Sequence, residues 1–157
     1  MTGIHLSRQP CLTLAFQRSY MHIKIHDDIT LQQIKDVFSA YYPFLKLEFF
    51  SKPHQIFESS EEKAMLCGSK KLKEINPTHT DAVINIQPTE LVSDLENEFQ
   101  IRFGLPAQVF RKEKGEWSQT TGMDVFSLKD VNDFSKNDSD AFLVEDYDEG
   151  FDEEIEV

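Results

Sequence analysis

The sequence predicts an α+β protein: two pseudo-repeated βαβ units in a split-βαβ, ferredoxin-like sandwich, then a hairpin strand, a short helix and a disordered acidic tail. Three observations carry this expectation. Apolar spacing of strand, helix and strand type runs through residues 21–50 and again through 82–112. The two stretches overlay without a gap at an offset of 61 positions. Charge separates a nearly neutral body from a strongly acidic end.

In the first unit, residues 21–26 alternate as a strand, with Ile23 and Ile25 on one face. Thr30 followed by Gln33 is a capping-box pattern, and Leu31, Ile34, Phe38 and Tyr41 recur at helical spacing. Pro43 stops the helix, and residues 44–50 form the next strand, with Leu45, Leu47 and Phe49 on one face. In the second unit, residues 82–86 form a strand. Pro88 and Thr89 open a helix carrying Val92, Leu95 and Phe99, Gly104 closes it, and 106–112 follow as a strand. The offset matches Ile23 with Ile84, Ile34 with Leu95, Phe38 with Phe99, and the helix stops Pro43 with Gly104.

The connections read more weakly. Ser59 with Glu62 is a second capping-box pattern ending at Gly68, and residues 69–76 read as a short helix or a basic loop. Residues 113–116 turn around Gly115, residues 117–121 return as a hairpin strand, and Ser127 caps a short helix with Leu128, Val131 and Phe134. Three parts follow: a loosely ordered extension over 1–20, an α+β domain over 21–136 and an acidic tail over 137–157. Met21 stands directly before the first strand and is a plausible start, which makes residues 1–20 a start-site extension.

The chain of 157 residues has 16 Lys and Arg against 28 Asp and Glu. Ten of the acidic residues and none of the basic ones follow Lys136, leaving 18 acidic against 16 basic in the body. Duplex nucleic-acid binding needs a surplus of cations to displace counterions, so this balance argues against it. No apolar run is long enough to span a membrane. Two cysteines, Cys11 and Cys67, form no metal or redox motif and suit a reducing cytoplasm.

Catalytic motifs are missing. The six glycines form neither a P-loop nor a dinucleotide fingerprint, and no G-x-S-x-G occurs. The five histidines make no H-E-x-x-H, and His22 and His26 on one strand would stand about 13 Å apart, too far for one ion. No metal or cofactor is expected. Cys67 before Gly68 reads as a helix C-terminus, where the dipole raises a thiol pKa. Asp27 and Asp28 read as favourable charges at a helix N-terminus. Phe50, Phe110 and Trp117 on neighbouring strands are a possible contact face for single-stranded nucleic acid, with Lys46, Arg111 and Lys112 to meet phosphates.

The stretch FLKLEFFSKP at 44–53, with LPAQVFRK at 105–112 and Trp117, resembles an uncharacterised family of small bacterial α/β proteins over residues 21–134. The resemblance implies no activity and no catalytic residues. The acidic, aromatic tail is the departure from it.

That tail is dense in like charge, which predicts disorder when free, yet it carries large apolar side chains. Phe142, Tyr147 and Phe151 are the expected anchors and Glu145, Asp146 and Asp148 the flanking charges, for a protein partner with a basic, apolar groove. The resulting expectation is a cytoplasmic, non-catalytic interaction module. The alternatives are a small enzyme with an unrecognised site near Asp27, Asp28, His54 or His79, and single-strand binding on the aromatic face.

Overall fold

The computed structural model describes residues 21–55 and 58–148, with side chains as far as 141. The expected extension over 1–20 and the end of the acidic segment over 149–157, with Phe151, lie outside the described residues.

Strand β1 (Met21–Ile25) buries Met21, Ile23 and Ile25 and exposes the residues between them, as strict alternation requires. Helix α1 (Leu31–Tyr41) starts on the expected capping box: Gln33 N–H donates to Thr30 Oγ1 at 3.2 Å, and Thr30 N–H donates to Gln33 Oε1 at 2.9 Å. Its buried stripe is Leu31, Ile34 and Phe38. Tyr41, expected on that stripe, is exposed. Tyr42, just past the helix end, turns inward instead and packs on the Phe38 ring at 5.3 Å.

Strand β2 (Leu45–Phe49) follows, then a 3-10 turn at Glu62–Ala64, the short helix α2 (Leu72–Ile75) and strand β3 (Ala82–Ile86). The Ser59–Glu62 capping box does not form, because Ser59 Oγ bonds Thr121 Oγ1 at 3.0 Å and the turn has no side-chain cap. Helix α3 (Val92–Phe103) begins three residues beyond the expected Thr89. Its first amides find backbone partners instead of a side-chain cap: Val92 N–H donates to Phe126 O and Ser93 N–H to Asp124 O. Gly104 ends it in the left-handed conformation, at φ 60°.

Strands β4 (Ala107–Glu113) and β5 (Glu116–Gln119) form the predicted hairpin. Its turn places both Lys114 and Gly115 at positive φ, the backbone of a tight hairpin with the right twist. Helix α4 (Leu128–Asp148) opens with Asp130 N–H on Ser127 Oγ at 3.1 Å. It runs beyond the short helix that the sequence suggests and takes in the first part of the acidic segment. Arg111 meets Asp138 at 2.9 Å there, and Ser135 is fully buried.

The strand order differs from a split-βαβ sheet. β1 pairs antiparallel with β3 in one sheet, and β2, β4 and β5 make a second antiparallel sheet in that order. The ferredoxin-like order needs β4 beside β1. Here both edges of β4 are taken, by β2 and by the hairpin strand β5, so β1 cannot join it.

Each strand of the first unit pairs with its counterpart in the second. Ile23 stands opposite Ile84, and Leu47 and Glu48 stand opposite Val109 and Gln108. The segments that cover the helix starts also correspond. Leu31 N–H donates to Lys70 O and Leu72 N–H to Ile29 O, while Val92 N–H donates to Phe126 O and Leu128 N–H to Glu90 O. One apolar core joins both sheets with α1, α3 and α4, with Phe38, Phe49, Phe99 and Phe103 among its largest side chains.

Candidate functional site: a buried polar network at His54

A chain of polar side chains lies between α3, β4 and the loop before the 3-10 turn. Glu96, on the inward face of α3, is 5 % exposed and accepts from Val109 N–H at 2.8 Å and from Gln108 Nε2 at 2.9 Å. His54 Nε2 faces its other oxygen at 3.3 Å, and His54 Nδ1 lies 3.1 Å from Ser60 Oγ. Ser60 Oγ also reaches Gln108 Oε1 at 3.4 Å, and Thr120 Oγ1 donates to Val109 O at 2.9 Å. Ser60 is held by a two-way backbone clamp with the Gln119 side chain, at 2.7 and 2.9 Å.

Donor and acceptor counting fixes the direction of this chain. The ionised carboxylate of Glu96 only accepts, so Gln108 turns its amino group to it and keeps its oxygen as an acceptor. Ser60 therefore donates to Gln108, and its oxygen is left to accept from His54 Nδ1–H. With Glu96 ionised, Nε2–H donates to it, both ring nitrogens carry protons, and His54 is an imidazolium. Its pKa is raised accordingly, chiefly by the hydrogen bond to Glu96 against the cost of burial. Asp124 adds negative charge nearby, and one of its oxygens has no hydrogen-bond partner among the described residues. Burial pushes the Glu96 carboxyl up, so the pair holds its proton tightly.

The network borders a cleft of about 250 Å³ lined by Pro53, His54, Ser93, Glu96, Asn97 and Gln100. Ser60, His54 and Glu96 stand in the order of a nucleophile, a base and an orienting acid, but a base must be neutral to take a proton. An imidazolium that donates to Ser60 leaves the hydroxyl unactivated. Chemically the site, with His54 protonated, can donate protons. In that state His54 does not activate Ser60 as a nucleophile.

The expected aromatic face is covered. Phe50 and Phe110 are buried in a small cluster with Ala64, because the 3-10 turn folds over them and Phe50 bridges to Met65. Trp117 is 40 % exposed, with Lys46 Nζ over its ring at 5.3 Å and over Phe110 at 4.9 Å. Of the three rings, Trp117 is the one left exposed. Of the tail residues, Phe142, Glu145, Asp146, Tyr147 and Asp148 lie on the helical backbone of α4.

Cys67 does not sit at a helix end. It is exposed in a loop, and a hydrogen bond with Ser69 Oγ at 3.1 Å lowers its thiol pKa, opposite to the dipole expectation. Asp28 is held down at about 2 by Lys73 and Lys71. Asp27, next to it, converges instead with His79 and Asp81 in a cluster of potential metal ligands. The sequence offered His54 only as one candidate of the enzyme alternative and missed its partners, because the members lie at 54, 60, 96, 108 and 120 along the chain; the one local sign is a glutamate at an apolar-facing helix position.

Among the described residues, no helix is long and apolar enough to cross a membrane. Comparison with family models, curated proteins and solved structures gives no match.

Proposed function

We propose that the protein is a non-catalytic interaction module whose acidic, aromatic C-terminal segment docks a protein partner with a basic, apolar groove. The observation that carries this reading is an apolar strip at the root of α4. Val125 is 63 % exposed, and Phe126 and Phe134 are exposed with their rings edge to face at 6.0 Å. Exposed aromatics at such a site bind rather than stabilise the fold. The strip leads along the same helix toward Phe142 and Tyr147, so one partner can meet apolar contacts at both places. The carboxylates of Glu145, Asp146 and Asp148 steer encounter with a basic surface. Two linked weak contacts bind more tightly than either alone. A reducing bacterial cytoplasm belongs to the same proposal, and the free Cys67 fits it.

Capture from source-cell lysate at low and moderate salt tests the charge component. The full chain is compared with a Glu145→Gln, Asp146→Asn, Asp148→Asn variant. A partner held by the wild type and weakened by salt or by the variant supports docking. A partner indifferent to both sinks it.

One observation favours a second reading, a small enzyme: the cleft at His54 and Glu96 gathers a proton donor and polar side chains in a partly enclosed space. That reading uses the imidazolium as a general acid. It is tested by labelling with a serine-directed fluorophosphonate, which the hydrogen-bond direction predicts will leave Ser60 unmodified, and by a substrate screen against His54→Gln.

A further inference from the structure

The ladder between β1 and β3 ends at Ile25 opposite Ala82, and this brings the flanking residues Asp27 and Asp81 together. The loop after α2 inserts His79 between them. The His79 side chain is completely buried, whereas those of Asp27 and Asp81 are 66 % and 71 % exposed. Its Nδ1 lies 2.9 Å from the backbone oxygen of Asn76, which can only accept, so Nδ1 carries a proton. Nε2 has no hydrogen-bond partner among the described residues and points at Asp27 Oδ1 at 3.6 Å and Asp81 Oδ1 at 3.5 Å.

A buried, unpartnered nitrogen facing two carboxylate oxygens is stabilised by a positive centre between them, a proton or a cation. A proton on Nε2 would draw one carboxylate to about 2.7–2.9 Å, the length of a charge-assisted hydrogen bond. Both oxygens stand farther off and at nearly equal distance. Ligand bonds of about 2.0–2.1 Å in a tetrahedron put donor atoms about 3.3–3.4 Å apart, close to the two distances from Nε2, and the three ligand atoms all lie within 4.8 Å of one another. An imidazole fixed through its far nitrogen by a backbone carbonyl is the usual support of a metal-bound histidine.

We propose that Asp27, His79 and Asp81 bind one divalent cation of borderline softness, of the Zn²⁺ class. Two carboxylates neutralise its charge, and the imidazole nitrogen selects it over Mg²⁺ or Ca²⁺, which prefer oxygen. The adjacent Asp28 is not a ligand, because Lys71 and Lys73 occupy it at 3.1 and 2.8 Å. The loop is preset: Asn76 Nδ2 donates to Phe103 O at 2.6 Å and Thr78 Oγ1 donates to Asn76 Oδ1 at 3.0 Å. The exposed side of the two carboxylates leaves the remaining position of the ion open to water or to a ligand of a partner.

The test is titration of the full chain with Co²⁺ and Zn²⁺, read by calorimetry and by the visible bands of four-coordinate Co²⁺. One site per chain is expected, with the His79 ring resonances moving on Zn²⁺ addition. Asp81→Asn, at an exposed position that leaves the fold intact, should weaken the tightest site at least tenfold, and His79→Asn should abolish the Co²⁺ bands. The acidic C-terminal segment gives a weak background common to all variants. Absence of a site above that background, or equal binding by wild type and Asp81→Asn, overturns the proposal. So do His79 ring resonances that ignore Zn²⁺.

Discussion

Ile23 faces Ile84 across the β1–β3 ladder, and these are the same two residues that an offset of 61 positions equates in the sequence. The β2–β4 ladder obeys the same relation, because the pair Leu47 and Val109 becomes Gln108 and Glu48 under that offset. The strands of the two strand–helix–strand units thus pair across the units instead of each unit closing its own sheet.

Cross-pairing makes the central isoleucines carry both units. Ile84→Ala should cost about 2–5 kcal/mol, from lost burial and the cavity left behind. Val83→Ala, on the exposed face next to it, should change stability by no more than about 0.5 kcal/mol. Urea unfolding with an unchanged slope checks both. Similar costs at the two positions would contradict the register.

Stability should fall as pH rises from about 5 to 8.5. Burial lifts Glu90 to about 7, and His54 and Glu96 are also raised, so the folded state holds more protons than the unfolded one in this range. The contribution of His54 is complete below its unfolded pKa and is lost as pH climbs through the higher folded value. The raised carboxyl of Glu90 acts in the same direction, since burial makes it costly to ionise, while His54 and Glu96 share one tightly held proton. Asp28, held at about 2 by Lys73 and Lys71, acts only in strong acid and is exposed. Thermal unfolding across this range should give its highest midpoint at the acid end. Glu96→Gln should flatten the slope, and Glu96→Ala should cost about 3–5 kcal/mol by leaving the His54 cation unpaired.

Gly104 is needed for its backbone. At φ 60° an added Cβ would be strained, and it would stand 3.2 Å from Asn76 Nδ2. Gly104→Ala should therefore destabilise by about 1 kcal/mol or more in chemical denaturation. It should also loosen the Asn76 anchor that presets His79, so Co²⁺ binding should weaken in parallel. A stable variant with unchanged unfolding would show that the helix ends elsewhere.

Cys67 should alkylate faster than an unperturbed thiol at neutral pH, since its thiolate is favoured by Ser69. Ser69→Ala should slow iodoacetamide modification of the Cys67 peptide, read by mass spectrometry. An unchanged rate would remove the hydrogen bond as the cause.

Much of the fold was legible because amphipathic periods report burial directly. Ile23 and Ile25, the Thr30–Gln33 cap and the Leu95–Phe99 stripe fall where spacing puts them. Strand order was not legible, because periodicity says which face is buried and not which edge is paired. The hairpin partner β5 falls where it is expected, but β2 takes the edge of β4 that β1 would need in a ferredoxin-like sheet, and nothing local in residues 45–49 announces that. The sites were less legible still. His79 and Asp81 are two residues apart, but their third partner Asp27 arrives only through the β1–β3 register. Glu96 lies on the buried side of α3, and its partners His54, Gln108 and the Val109 amide come from distant parts of the chain, which no local pattern reports.

The central claim is that the C-terminal segment docks through aromatic anchors, and the most direct measurement is quantitative capture by the full chain beside a Phe142→Ala, Tyr147→Ala, Phe151→Ala variant of matched stability. The account predicts a partner bound by the wild type and lost, or weakened at least tenfold, in the variant. A partner retained equally by both chains would contradict it and return attention to the cleft at His54.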